Sequence, residues 1–254
     1  MNKTHSSFKK AVLVTGASSG IGKEIALRFS KAGYFVYLMG RNKEHLAETA
    51  LNCTAGASIL SCDLNDVAAV DKRLEEIFHH PQYRLEVLIN NAGIYKKGCT
   101  QNSPMEDWLS IFSTNLFAAV QLTQKVIPYF QKHEKGSIVN ISSTLGLRPT
   151  AETAAYSASK AAMINWTASL ALEVAPYTRV NCICPGIVDT PIHSFHNLSE
   201  EARDKVLLDL GPLQPLNRIG SPTEIAEAAY FLGSDLSSWT TGAILSVDGG
   251  INLK

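Results

Sequence analysis

Residues 11–22 read Ala11-Val12-Leu13-Val14-Thr15-Gly16-Ala17-Ser18-Ser19-Gly20-Ile21-Gly22. The four apolar residues at the start form a short buried strand. Ile21, Ile25 and Phe29 then recur every fourth residue, which is one face of a helix. The turn between them has the spacing G-x-x-x-G-x-G. Glycines permit the tight turn and let a phosphate approach the backbone, and the helix start supplies free N–H groups and partial positive charge. Gly16, Ser18, Ser19, Gly20 and Ile21 are therefore the candidate pyrophosphate cradle. A glycine turn with no ligand is the plain alternative, and the strand–turn–helix context argues against it.

The same alternation continues outward. Further strands are read at Tyr34 to Met39, Ser58 to Cys62, Val87 to Ile89, Ser137 to Ile141, Arg179 to Ile183 and Ala243 to Val247. Helical patterns lie at Lys43 to Leu51, Asp66 to Phe78, Glu106 to Lys132, Tyr156 to Val174 and Pro222 to Leu232. Ser221 with Glu224 three residues on predicts a capping box for the last. Seven strands thus alternate with six helices. Apolar strands of this kind imply a parallel sheet covered on both faces. Right-handed crossovers make it an α/β, Rossmann-type, doubly wound fold, with its ligand at the carboxyl ends of the strands. No repeat, linker or low-complexity tract divides residues 1–254, so one dinucleotide-binding domain is expected. The irregular stretch at about 191–215 is expected to be a substrate lid.

Composition narrows the function. Of 254 residues, 45% are hydrophobic and 18% charged, which excludes a disordered chain. Lys+Arg and Asp+Glu each number 23, so the net basic charge of a general nucleic-acid binder is absent. No apolar run reaches the roughly 18 residues of a membrane span, and Met1 to Lys10 is polar, without a signal-peptide core. The five cysteines form no C-x-x-C pair. Reduced, mostly buried thiols and a cytoplasmic location are expected. His193 and His196 stand three apart, but no acidic or cysteine partners complete a metal site.

The second strand ends Met39-Gly40-Arg41-Asn42. An acid at this tip would accept from the ribose hydroxyl of NAD and repel a 2′-phosphate. Here Gly40 leaves space and Arg41 can pair with phosphate, so NADP is preferred to NAD. Asp63, followed by Leu64, ends the third strand and could accept from adenine or serve as a turn residue. Tyr156 and Lys160 share a helix face. A free Tyr has a pKa of about 10, too high for acid–base work at neutral pH unless a nearby ammonium favours the phenolate. A packed ring beside a snorkelling amine is the simpler reading of that pair taken alone.

Thr15-Gly16-x-x-x-Gly20-x-Gly22, Asn90-Asn91-Ala92-Gly93, Ser143, Tyr156-x-x-x-Lys160, Pro185-Gly186 and Asp248-Gly249-Gly250 occur in the order found in short-chain dehydrogenases/reductases. The chain resembles that family over nearly its whole length. The resemblance implies an oxidoreductase that interconverts a carbonyl and a secondary alcohol. Tyr156 would transfer the proton, and Lys160 would lower its pKa and hold the nicotinamide ribose. Ser143, the second serine of its pair, would donate to the substrate oxygen. Asn115 would hold a relay water. Asn91, Ala92 and Gly93 would pack beside the adenosine. Pro185 and Gly186 would open the next cofactor loop, with the Val188 backbone on the carboxamide and Thr190 near a phosphate. Ile94, Tyr95, Leu145, Leu147 and Phe195 are expected pocket walls. Within the family, length and layout point to a reductase of 3-oxoacyl groups on a carrier protein. A sugar, steroid or small-ketone reductase remains the alternative. The turn before Arg179 lacks the basic residues an acidic carrier would need. Loss of Ser143, Tyr156 or Lys160 would have marked a non-catalytic dinucleotide sensor, and all three are present. The family also implies a homotetramer, with the helices that carry Phe112, Leu116, Val120, Ile164 and Leu170 packing across a two-fold axis as well as on the sheet.

Overall fold

The computed structural model describes residues 8–193 and 198–253, with the side chain of residue 193 excepted. Seven strands form one parallel sheet in the order β3-β2-β1-β4-β5-β6-β7. They are β1 (Lys9–Thr15), β2 (Phe35–Gly40), β3 (Ala57–Ser61), β4 (Tyr83–Asn90), β5 (Gly136–Ile141), β6 (Thr178–Pro185) and β7 (Ile244–Val247). β1 and β4 pair with each other in the middle of the sheet, the strand order reverses there, and this opens a crevice at their carboxyl ends.

Side chains alternate across the pleat, and both faces are covered. Val12 and Val14 of β1 pack with Ile25 and Phe29 of α1 (Gly20–Lys31), Leu46 of α2 (Lys43–Leu51) and Ile225 and Ala229 of α8 (Pro222–Gly233). Ala11 and Leu13 face the other way. They join Val70 and Leu74 of α3 (Val67–Phe78), Val126 and Phe130 of α5 (Ala118–Lys132) and Leu170 and Val174 of α6 (Ala154–Val174). The capping box at α8 is present: Glu224 N–H donates to Ser221 Oγ, and the Glu224 carboxylate accepts from Ser221 N–H.

Two sequence expectations need correction. The pattern over Glu106 to Lys132 is not one α-helix. It divides into α4 (Met105–Phe112), a π-helical turn over Ser113–Phe117, and α5. The stretch after β6 is less irregular than expected, because it contains α7 (Glu200–Leu210). That helix buries none of its residues, so it lacks the apolar stripe by which a helix is read from sequence. Phe195 and His196 lie outside the described residues. No described helix is long and apolar enough to cross a membrane.

Candidate active site

The glycine turn is shaped by its neighbours. Gly16 and Gly20 have φ of +65° and +52°, the left-handed region that suits glycine. A Cβ on Gly22 would lie 2.2 Å from Gly16 O and 2.4 Å from Asn91 Nδ2, so no side chain fits there. Ser19 caps α1 without a side-chain hydrogen bond, which leaves the first N–H groups of the helix facing the crevice. The residues present therefore fit a bound phosphate: space, positive helix end and unclaimed donors coincide. Thr190 reaches the same place, because a Cβ on Gly20 would touch it at 3.4 Å.

Asn91 locks this turn to β4. Its N–H donates to Thr15 Oγ1 at 2.9 Å, and its Nδ2 donates to the Thr15 and Gly16 carbonyls at 2.9 and 3.3 Å. Ala92 N–H also donates to Thr15 Oγ1, at 3.1 Å. Thr15 is thus a bracing residue that the sequence reading passed over. Its signals were a hydroxyl at the end of an apolar strand and its place at the head of the glycine motif.

At the tip of β2, Gly40 and Arg41 sit beside the turn. A Cβ on Gly40 would meet Leu46 at 3.6 Å and Ser18 Oγ at 4.0 Å, ordinary contacts. Arg41 is exposed. Asp63 shapes a turn with one carboxylate oxygen, Oδ1, which accepts from Asn65 N–H at 2.9 Å, and the residue is exposed. Leu64 lies in a small cleft with Thr15, Asn90, Ala92 and Thr114.

Ser143, Tyr156 and Lys160 converge one strand further on. Ser143 follows β5, and its Oγ accepts from Leu145 N–H at 3.1 Å, which leaves the hydroxyl proton for another acceptor. Ser142 points elsewhere and donates to Lys160 O at 2.8 Å, so the two serines have different jobs. Tyr156 and Lys160 stand on the first turns of α6, both buried. Lys160 Nζ donates to Ile141 O at 2.8 Å and lies 5.8 Å from the Tyr156 ring centre. Gly93 brings the loop after β4 against both: its Cβ would sit 3.3 Å from Asn115 Oδ1 and 3.5 Å from Lys160 Nζ.

The electrostatics differ from the sequence expectation. Burial pushes the Tyr156 phenol up to about 12, with a hydrogen bond to Ser143 pulling the other way. Burial also lowers Lys160 to about 8. Lys160 does not bring the phenol into the neutral range. Desolvation is the largest cause at each group, because both are removed from water.

Asn115 sits in the π-helical turn, fully buried. It is not satisfied by its own helix. Its Oδ1 accepts from Ile94 N–H at 2.8 Å, and its Nδ2 donates to Ile94 O at 3.0 Å and Ser159 Oγ at 3.2 Å. The extra residue of the π turn aims the amide outward from the helix. After β6, Gly186 packs on Asp248, 2.8 Å from where its Cβ would be. Val188 forms a bridge with Gly220 through Ile187 O and Asp189 N–H. Its own N–H and C=O therefore face away from Gly220. Asp189 pairs with Arg203 of α7. Among the described residues, no cluster of His, Cys, Asp or Glu could hold a metal.

The short chain dehydrogenase family model matches residues 10–201. The chain belongs to the short-chain dehydrogenase family. It is accordingly an oxidoreductase acting on alcohol and carbonyl groups, of a family that binds NAD(P). The 3-oxoacyl-(acyl-carrier-protein) reductase FabG of Thermotoga maritima is 36% identical over 247 residues, covering 95% of this chain and 97% of that protein. The meso-2,3-butanediol dehydrogenase of Serratia marcescens is 34% identical, covering 95% and 94%. Among solved structures, the Thermoplasma acidophilum aldohexose dehydrogenase superposes with a TM-score of 0.88 at 34% identity, covering 97% of this chain and 95% of that one. A structure described as ElxO with NADP bound has a TM-score of 0.89 at 28% identity, covering 97% and 100%.

Proposed function

We propose that this chain is an NADP-dependent reductase of ketones, built as one domain with a lid at about 191–215. The observation that carries the reading is the meeting of Ser143, Tyr156 and Lys160 with Gly93 beside the glycine turn. A nicotinamide cofactor bound in the crevice would supply the hydride. The protein residues handle the oxygen and its proton. Ser143 donates to the carbonyl oxygen and stabilises the charge that develops on it. Tyr156, protonated throughout the neutral range, delivers the proton. Lys160, with its pKa near 8, is mostly charged at pH 7; it favours phenolate formation after transfer and holds the ribose.

Gly16, Ser18, Ser19, Gly20, Ile21 and Thr190 take the pyrophosphate. Arg41 takes the 2′-phosphate, and Asp63 and Leu64 take the adenine. Asn91, Ala92, Gly93, Pro185, Gly186 and Val188 line the rest of the cofactor. Asn115 completes the catalytic set by holding a relay water, and it also holds the loop after β4 through Ile94. The proposed assembly is a homotetramer in the cytoplasm, with sedimentation as its test.

For substrate we favour a 3-oxoacyl thioester on a carrier protein, since the Thermotoga relative carries that name over nearly the full length. One observation keeps a small ketone or sugar as a second reading. Arg179 is turned inward, donating to Leu232 O, Ser237 Oγ, Thr240 O and Ser234 O, so its donors are engaged within the chain and not turned toward an acidic carrier. Cofactor oxidation with a panel of 3-oxoacyl thioesters, sugars and simple ketones, run with NADPH and NADH, tests both readings. Consumption of NADPH with no carbonyl in the panel would overturn them.

A further inference from the structure

We propose that Tyr95 is the positioning residue for the proton donor, holding the Tyr156 ring at a fixed angle through an edge-to-face contact. This rests on the reading of Tyr156 as donor. The Tyr95 and Tyr156 ring centres are 5.0 Å apart with planes at 86°. Edge-to-face pairs place the positive ring edge of one against the negative face of the other, so the contact has a preferred angle.

A closed circuit fixes both ends of that contact. Tyr156 O accepts from Ser159 Oγ at 2.7 Å, and Ser159 Oγ accepts from Asn115 Nδ2 at 3.2 Å. Asn115 grips both backbone polar groups of Ile94, and Tyr95 is the next residue. The Tyr95 ring then returns to the Tyr156 ring. The same chain of contacts thus holds the Tyr156 backbone from behind and its ring from the front. Burial alone would keep the phenol dry without fixing its direction. The ring contact supplies the direction, and proton transfer is sensitive to errors of an ångström.

The test uses the whole protein in three variants, with NADPH and whichever carbonyl of the panel is turned over. Tyr95→Leu removes the partner ring, and kcat should fall about tenfold, within the loss expected for misplaced catalytic groups. The dissociation constant for NADPH and the KM should change little. Tyr95→Phe keeps the ring and should restore kcat to within about threefold of the parent. Normal kcat in Tyr95→Leu overturns the proposal. So does a Phe variant as impaired as Leu, which would make the hydroxyl the active part. A raised KM with unchanged kcat would make Tyr95 a substrate wall only, and also overturns it. NADPH titration gives the folded, cofactor-competent fraction, so a loss from misfolding is separated from a loss of kcat. Tyr156→Phe is the reference: wild-type turnover in that variant removes the donor reading, and the inference with it, independently of the Tyr95 results.

Discussion

Replacing Lys160 by Met should make the protein more stable at pH 7 while stopping turnover. Lys160 is 3% exposed, and burial lowers its pKa from 10.5 to about 8. A shift of that size corresponds to about 3 kcal/mol of cost for keeping the ammonium charged. The sign follows from proton binding. Between pH 8 and 10.5 the unfolded chain binds the proton more strongly than the folded one. The lysine's relative stabilisation is therefore complete above pH 10.5 and lost as pH falls through 8. Met keeps the length and apolar stem and removes the charge. It also leaves Ile141 O without the Lys160 donor at 2.8 Å, at a cost of about 1–3 kcal/mol. The net gain at pH 7 is about 0–2 kcal/mol, and near pH 10.5 it should vanish or reverse. Thermal unfolding followed by circular dichroism, at one protein concentration and at pH 7 and 10, measures this as the difference between variant and parent. A Met variant less stable than the parent by the same margin at both pH values would refute the argument.

Other outcomes follow from the same geometry. Gly40→Asp fits sterically, since its Cβ meets Leu46 only at 3.6 Å, and should turn the preference from NADPH toward NADH. Arg41→Ala should weaken NADPH binding by roughly ten- to a hundredfold, less at high salt, and leave NADH binding nearly unchanged; dissociation constants by fluorescence titration check both. Asn115→Ala removes three hydrogen bonds and orphans both polar groups of Ile94. It should cost about 2–4 kcal/mol in chemical denaturation and depress turnover as well.

The sheet was readable in the sequence because each strand is an apolar run between helices, and strands such as β5 are buried along their full length. The glycine turn was readable because steric exclusion by Asn91 leaves no choice of residue at Gly22. The π turn was not: one extra residue per turn barely disturbs an apolar pattern of period 3.6, and its purpose, aiming Asn115 at Ile94, lies in a contact between distant segments. Helix α7 was missed because it buries no residue and so imposes no pattern. The Tyr156 and Lys160 pairing was legible, but the sign of the phenol shift was not. Spacing reveals that an ammonium is near; only the packed site reveals that both groups are dry.

The central claim is that Tyr156 gives a proton to a carbonyl oxygen while cofactor binding stands apart. Tyr156→Phe keeps the ring and its contact with Tyr95, and removes only the hydroxyl. The direct measurement is NADPH oxidation with a carbonyl substrate by wild type and variant, each matched to its own NADPH dissociation constant. The account predicts a fall in kcat of at least about 10²-fold with the dissociation constant changed by less than about threefold. Turnover within about threefold of wild type in the Phe variant would contradict it.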